Sequence, residues 1–455
     1  MLTGTSLGTI TDSLAYNGFG ETTTYNAKAG AANLLDEQYS YDKLGRITQK
    51  IEALQGGTAS TYAYTYDNAR RLTEVRKGGV LQSSYSYDDN GNRLAKTVSG
   101  TPINGSYDDQ DRLLSYDNAS YAYTDNGELL SKTVHLPSGD LITTYLYDVL
   151  GNLRHVDLPG GTASNAVDYV IDSQNRRVGK KIGGILQQGF LYQDGLKIIA
   201  ELDGNNAIVS RFIYATHVNV PDYMVKGGIT YRIITDHLGS PRVVVQVDGA
   251  TPGQVAQRMD FDEFGNETND TNPGFQPFGF AGGLYDRDTK LVRFGARDYD
   301  ANTGRWTSKD PIRFDGGINL YGYVRNSPNN YYDPEGRIPP LAIVIGSGLL
   351  NLGILEYTHK GDVTTEQCLN AFGAGVLGAE VGLAFNLLGV AQLTAALGSV
   401  ESAGSLTMVF GGVAQGVATQ SLNNIFDPSH QEPQGLGGVK GGMSSILISI
   451  ITKGK

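Results

Sequence analysis

Cysteine is nearly missing from this chain. Cys368 is the only one in 455 residues, so no intrachain disulfide staples the fold. Tryptophan also occurs once, as Trp306, and the six histidines are scattered without the spacing of a metal site. A basic excess is missing too. Thirty-six Lys and Arg face 47 Asp and Glu, and the net charge of -11 excludes the basic face of a nucleic-acid binder. After Met1, the text "LTGTSLGTITDSLAYNG" has neither the basic stretch nor the apolar core of a secretory signal. It reads as the middle of a strand-and-turn pattern, so we expect a C-terminal piece of something longer. No cofactor or metal is expected.

What is abundant is glycine, at 60 residues, and tyrosine, at 27 against 14 Phe. Glycine supplies the positive φ of tight turns and tyrosine favours pleated surfaces, so the composition predicts short strands joined by turns. The text repeats itself. "YSYDKLGRI" (Tyr39 to Ile47) returns as "YTYDNARRL", "YSYDDNGNRL", "SYDDQDRLL", "YAYTDNGELL" and "YLYDVLGNL", with "YVIDSQNRRV" from Tyr169 as a weaker copy. The aspartates at 42, 67, 88, 108, 125, 148 and 172 lie 17 to 25 residues apart. A period near twenty with this drift suits hairpins of varying length rather than helices. In each copy Tyr-x-Tyr puts two rings on one strand face, and the aspartate opens a turn in which it bonds its own backbone. One unit cannot bury its rings alone, whereas stacked units can. These residues read as scaffold.

Repeats of this form resemble the YD repeats of the Rhs family, which includes bacterial Rhs proteins and the C components of Tc toxin complexes, with related repeats in teneurins. The resemblance implies a hollow β-shell enclosing a polypeptide, and it covers about 300 residues from Tyr39. "ITDHLGSPRVVV" (Ile234 to Val245) and "DFDEFGN" (Asp260 to Asn266) are similar to late markers of Rhs cores. His237 in the first of them reads as a turn histidine, because no nucleophile or carboxylate pattern converges on it.

"GARDYDANTGRWTSKDPIRFDGGINLYGYVRNSPNNYYDPEGR" (Gly295 to Arg337) closely resembles the Rhs repeat-associated core motif. In family members that cut themselves, this region is an aspartic protease that acts once on its own chain. The resemblance carries three residues over: Arg297, Asp310 and Asp333, with Arg305 in "TGRW" a rival for the basic role. Two facing carboxylates cannot both ionise, so one can activate water while the other polarises a carbonyl. Read from the residues alone, both Asp-Pro pairs are turn initiators. The implied cleavage site is Arg337–Ile338, and here the chain departs from the family, whose cleaving members end "DPxGL" where this one reads "DPEGR". A charged side chain is a costly occupant of an apolar pocket.

Behind Arg337 the composition breaks. Residues 338–455 contain no Arg, one Tyr (Tyr357), seven acids and four Lys. "EQCLNAFGAGVLGAEVGLAFNLLGVAQLTAAL" (Glu366 to Leu397) reads helical, with glycines three and four apart that permit close helix approach. The uncharged runs 381–400 and 402–426, and the shorter 339–355, are candidate membrane segments. A Gly/Ala-rich soluble bundle, or a plug inside the shell, is the other reading.

The expected fold is therefore mainly β: a YD-repeat β-shell made as a curled antiparallel sheet of β-hairpins, followed by a helical Gly/Ala-rich C-terminal region. The expected segments are 1–233 (repeat sheet), 234–337 (core) and 338–455 (variable tail). Two functions remain open. One is a toxin or toxin-delivery shell that holds its own C-terminal domain as cargo and releases it, with secretion machinery and an immunity protein as partners. The other is an uncleaved surface or adhesive protein anchored through 381–426. Both place the protein outside the cell or at its envelope.

Overall fold

The computed structural model describes residues 1–160 and 164–337. The chain divides into two compact units, one of Gly4–Leu14 and Thr23–Leu341, the other of Met1–Thr3, Ala15–Thr22 and Ala342–Lys455. In the described part of the second, Tyr16 Oη donates to the Leu2 carbonyl at 2.6 Å, and Asn17 closes a turn with Glu21. The expected helical tail and all three candidate membrane segments lie outside the described residues. Among the described residues no helix is long and apolar enough to cross a membrane.

The first unit is built on antiparallel hairpins. From Thr22–Ala29 to Glu267–Asp270, each strand pairs with the next in sequence, within a 25-stranded sheet. The repeat text explains the geometry. The aspartate heads a five-residue turn: Asp42 N–H donates to Arg46 O, Gly45 N–H donates to Asp42 O, and Gly45 has φ +73°. Its carboxylate caps the turn by accepting the Leu44 and Arg46 N–H groups, while Oδ2 takes Arg46 Nε at 2.7 Å. The same backbone pattern recurs at Asp67, Asp88, Asp108, Asp148, Asp172, Asp203, Asp236 and Asp262. In the fifth copy Thr124, not Asp125, fills the leading position, bonding Glu128 and Gly127 in the same way. The serine-sized hydroxyl of threonine replaces the carboxylate there, and Asp125 is merely the next residue.

Each unit is also tied to its neighbour. Tyr66 Oη donates to Ile47 O, Tyr87 Oη to Leu72 O, and Tyr107 Oη to Arg93 O, at 2.7–2.9 Å. Arg46 lies over the Tyr66 ring and Arg71 over Tyr87, each 4.9 Å from the ring centroid. Tyr39, Tyr64, Tyr85, Tyr121, Tyr145 and Tyr169, two residues earlier in their strands, are buried. Register shifts fall at the same place in successive hairpins, between Ser40/Tyr41, Thr65/Tyr66, Ser86/Tyr87 and Leu146/Tyr147. A bulge sharpens the right-handed twist, so one bulge per repeat curls the sheet. The curl brings remote strands together: Ile10, Leu35, Ile234, Val243 and Val245 share one core, and Arg242 meets Glu52 at 2.7 Å.

"ITDHLGS" and "DFDEFGN" prove to be further turns of the same kind. The strand Ile229–Thr235 runs across the expected 233/234 boundary without a break. A separate four-stranded sheet follows, made of Leu284–Tyr285, Leu291–Phe294, Arg297–Asp300 and Arg305–Trp306. It packs Phe294, Tyr299, Trp306 and Tyr323 into an aromatic core. This closing segment is pinned to repeat turns by Tyr321 Oη on Gly127 O, Asn326 Nδ2 on Gly91 O, and Ile47 N–H on Asn330 Oδ1.

Candidate functional site

Arg297 opens its strand directly after the turn at Gly295-Ala296, and that turn abuts the "DPEGR" segment. Ala296 N–H donates to Glu335 O at 2.8 Å. A side chain at Gly295 would strike the Glu335 carbonyl, and one at Gly336 the Phe294 carbonyl, so two glycines let these backbones meet. The approach puts Arg297 in reach of both aspartates. Its Nη2 lies 2.7 Å from Asp310 Oδ2 and 3.4 Å from Asp333 Oδ2. Nε donates to the Gly336 carbonyl, Nη1 to the Leu320 carbonyl, and the guanidinium sits 4.1 Å from the Trp306 ring centroid. All three side chains are buried: Arg297 and Asp333 are 3% exposed and Asp310 is 7% exposed.

Residues 23 and 36 positions apart thus converge on one guanidinium nitrogen. The rival Arg305 goes elsewhere. It donates to Asn92 Oδ1 at 2.9 Å and to the Asp111 carbonyl, between the rings of Tyr107 and Tyr321, and so fastens the closing segment to repeat turns. Both aspartates also head turns, as their Asp-Pro dipeptides imply. Arg313 N–H donates to Asp310 O, Ile312 N–H to Asp310 Oδ1, and Arg337 N–H to Asp333 Oδ1 at 3.2 Å. Turn and site are one arrangement here rather than alternatives.

Burial controls the electrostatics. It pushes the Asp310 carboxyl above its usual range, against the pull of Arg297. It also holds Arg297 below its ordinary value, against the attraction of Asp310 and Asp333. Nearby Glu335 is raised to about 7 by burial, with Arg337 pulling it down and Asp333 pushing it up. Burial thus favours the acid form of both Asp310 and Glu335. Ile338, the other half of the expected cleavage site, lies outside the described residues.

Sequence reasoning missed several supporting groups. Trp306 caps the guanidinium, and its being the only tryptophan was the available signal. The Leu320 and Gly336 carbonyls carry no side-chain signal at all. His237 does sit in a turn, half-buried: Nδ1 is 3.1 Å from Tyr39 Oη and Nε2 is 2.8 Å from the Asn329 carbonyl. It borders a cavity of about 500 Å³ whose polar lining includes Lys50, Glu52, Asp236 and Arg242. Among the described residues no three His, Cys, Asp or Glu side chains converge as a metal site requires.

Comparison with known proteins places this architecture. Teneurin-1 of Gallus gallus is 30% identical over 323 residues, which are 66% of this chain and 11% of that protein. Teneurin-3 of Mus musculus is 30% identical over 310 residues, 63% of this chain and again 11% of the relative. The chain therefore spans about a tenth of the length of these relatives. Among solved structures, TcdB2-TccC3-TEV is 16% identical with a TM-score of 0.34, covering 72% of this chain and 21% of that one. TcdB2-TccC3-Cdc42 is 16% identical with a TM-score of 0.35, covering 80% and 22%. The family model described as Teneurin YD-shell matches residues 1–329. With that match, the repeated Tyr-Asp turns and the sheet they build, the chain belongs to the teneurin YD-shell family and is an Rhs/YD-repeat protein.

Proposed function

We propose that this chain is the closing part of a YD-repeat shell that cuts itself once, at Arg337–Ile338, and frees the 118-residue segment 338–455. The observation that carries the proposal is the meeting of Asp310 and Asp333 on a single buried Arg297 nitrogen, four residues before the junction. In this reading residues 1–233 form wall, 234–337 close it and hold the carboxylates, and 338–455 are enclosed cargo. Asp310, whose acid form burial favours, protonates the Arg337 carbonyl oxygen. Asp333, which already accepts the Arg337 N–H, takes a proton from the attacking water. The Arg337–Ile338 C–N bond then breaks, the new Ile338 amine takes the proton that Asp333 received, and a hydroxyl of the new acid returns its proton to Asp310. Arg297 offsets the repulsion between the two carboxylates and orients them through Gly336 O and Leu320 O. Secretion machinery would export the shell and an immunity protein would neutralise the cargo in the producing cell.

A second reading has its own observation. Arg297 satisfies two carboxylates and two carbonyls under an indole, which is also how a purely structural fastener is built. An uncut surface or adhesive repeat protein, held by a tail spanning 381–426, requires nothing more of these residues. Intact mass of the purified chain separates the two. Two fragments joining at Arg337–Ile338, lost in Asp310→Asn and in Asp333→Asn, support the protease. A single 455-residue species that partitions into membranes supports the fastener.

A further inference from the structure

Two buried arginines beside the junction segment are short of negative charge. Arg177 opens the wall strand Arg177–Ile182, and Arg293 lies on Leu291–Phe294 of the closing sheet, two residues before Gly295. They share one carboxylate: Arg177 Nη2 is 2.8 Å from Asp298 Oδ1, and Arg293 Nη1 is 3.0 Å from Asp298 Oδ2. Arg177 is 2% exposed, Arg293 5% and Asp298 1%, so bulk water screens little of the surplus charge. Arg293 Nη2 donates to Asn152 Oδ1 at 2.9 Å, and the Arg177 guanidinium lies 3.5 Å from the Tyr169 ring centroid. An amide and a ring face supply no full negative charge. Among the described residues, the buried Nε of each arginine has no hydrogen-bond partner.

Both arginines line a cavity of about 30 Å³, together with Arg176, Tyr192, Gly295 and Pro334. Among the described residues no Asp or Glu lines it. The acids nearby are engaged elsewhere. Asp286 takes Lys180 Nζ at 2.8 Å and the Tyr169 hydroxyl at 2.8 Å. Asp172 pairs with Arg176 at 2.7 Å, and Asp194 accepts the Leu196 and Lys197 N–H groups of its own turn. Glu335 follows Pro334 in the chain but does not reach the cavity wall. The volume suits an occupant the size of a water or a halide ion.

We propose that this cavity is a halide site: one chloride ion accepts the Nε–H groups of Arg177 and Arg293 and supplies the negative charge that Asp298 alone leaves short. A water would satisfy the two donors, but it would leave a buried cation uncompensated, which is the costlier defect. A charged acceptor also makes the stronger hydrogen bonds. The ion joins a wall strand to the closing sheet. Because Gly295 and Pro334 line the same cavity, it also braces the turn that brings Arg297 to Asp333.

The test uses the full chain carrying Asp310→Asn, so the result does not depend on whether the parent cuts itself. Urea unfolding is followed while sodium chloride replaces sodium gluconate, an anion too large for the cavity, at constant ionic strength. Stability should rise and follow a one-site curve. The folding equilibrium constant should be about a hundredfold higher once chloride exceeds its Kd a hundredfold. Bromide should replace chloride, and anomalous diffraction from crystals grown in bromide should place the ion within hydrogen-bonding reach of both Nε atoms. Arg293→Gln removes the surplus charge and should flatten the chloride response. Equal stability in chloride and gluconate overturns the proposal, and a bromide peak without a chloride response marks an adventitious ion only. A chloride response unchanged in Arg293→Gln overturns it as well. So does a water in place of bromide between the two Nε atoms, an arm that needs no folded Arg293 variant.

Discussion

The turn at Asp42 and the turn at Asp333 are the same device put to different use. Both read D-x-x-G-R, "DKLGR" and "DPEGR", with a glycine of positive φ at the fourth place, +73° at Gly45 and +65° at Gly336. In both, the first carboxylate accepts the N–H of the fifth residue. They part at the other oxygen. Asp42 Oδ2 takes its own turn arginine, Arg46, whereas Asp333 Oδ2 faces Arg297, an arginine from another element that also holds Asp310. Arg337 thus stands where a repeat turn carries its arginine.

Titration follows the same division. At Asp42, Asp108 and Asp172 burial is the largest single influence and raises the carboxyl, but the N–H donors and the turn arginine together outweigh it and hold the group below its usual range. At Asp310 burial wins over Arg297 and the group moves up. Identical residue types thus make scaffold where water reaches them and candidate chemistry where it does not.

Removing the central cation should break the comparison hardest. Arg297→Met leaves two buried carboxylates without it and should cost about 3–5 kcal/mol in urea unfolding. Arg71→Met, in a repeat turn whose ion pair is partly exposed, should cost no more than about 1 kcal/mol. Similar losses for the two would erase the distinction.

The pH dependence is next in size. Glu335 is an acid raised when folded, so its stabilising effect is full below its unfolded value and is lost as pH rises toward 7. Glu335→Gln should therefore gain stability over the parent at pH 8 relative to pH 5, by on the order of 2 kcal/mol. The turn aspartates act oppositely, since their contribution is present at neutral pH and lost as pH falls through their lowered values. A Glu335→Gln difference that stays flat across this range would remove the carboxyl from the account. The smallest effect expected is that of Tyr66→Phe, which deletes one inter-repeat bond to Ile47 O and should cost about 1 kcal/mol in thermal or urea unfolding.

Much of the wall was legible because its rules are local. Tyr-x-Tyr, the leading aspartate and the turn glycine all act within nine residues, and hairpin pairing carries them into a sheet. The exceptions are also local: Thr124 fills the turn's first place, so counting aspartates misplaced one copy by a residue. Neither "DHLGS" nor "DEFGN" was recognisable as a repeat turn, because tyrosine is missing in front of both. The site was legible only through family resemblance. Choosing Arg297 over Arg305 depends on Asn92, Asp111, Leu320 and Gly336, partners that no spacing rule reaches. His237 is the turn residue the sequence suggests, but its ring contacts, 198 and 92 positions away, carry no local signal.

We propose that Asp310 and Asp333 act together on the Arg337–Ile338 bond. Intact mass of the folded full-length chain, beside Asp310→Asn and Asp333→Asn, tests it most directly. Two fragments meeting at Arg337–Ile338 are expected in the parent and one whole chain in each variant. A parent that remains whole while its sheet is folded, or a variant that still cuts, would contradict it.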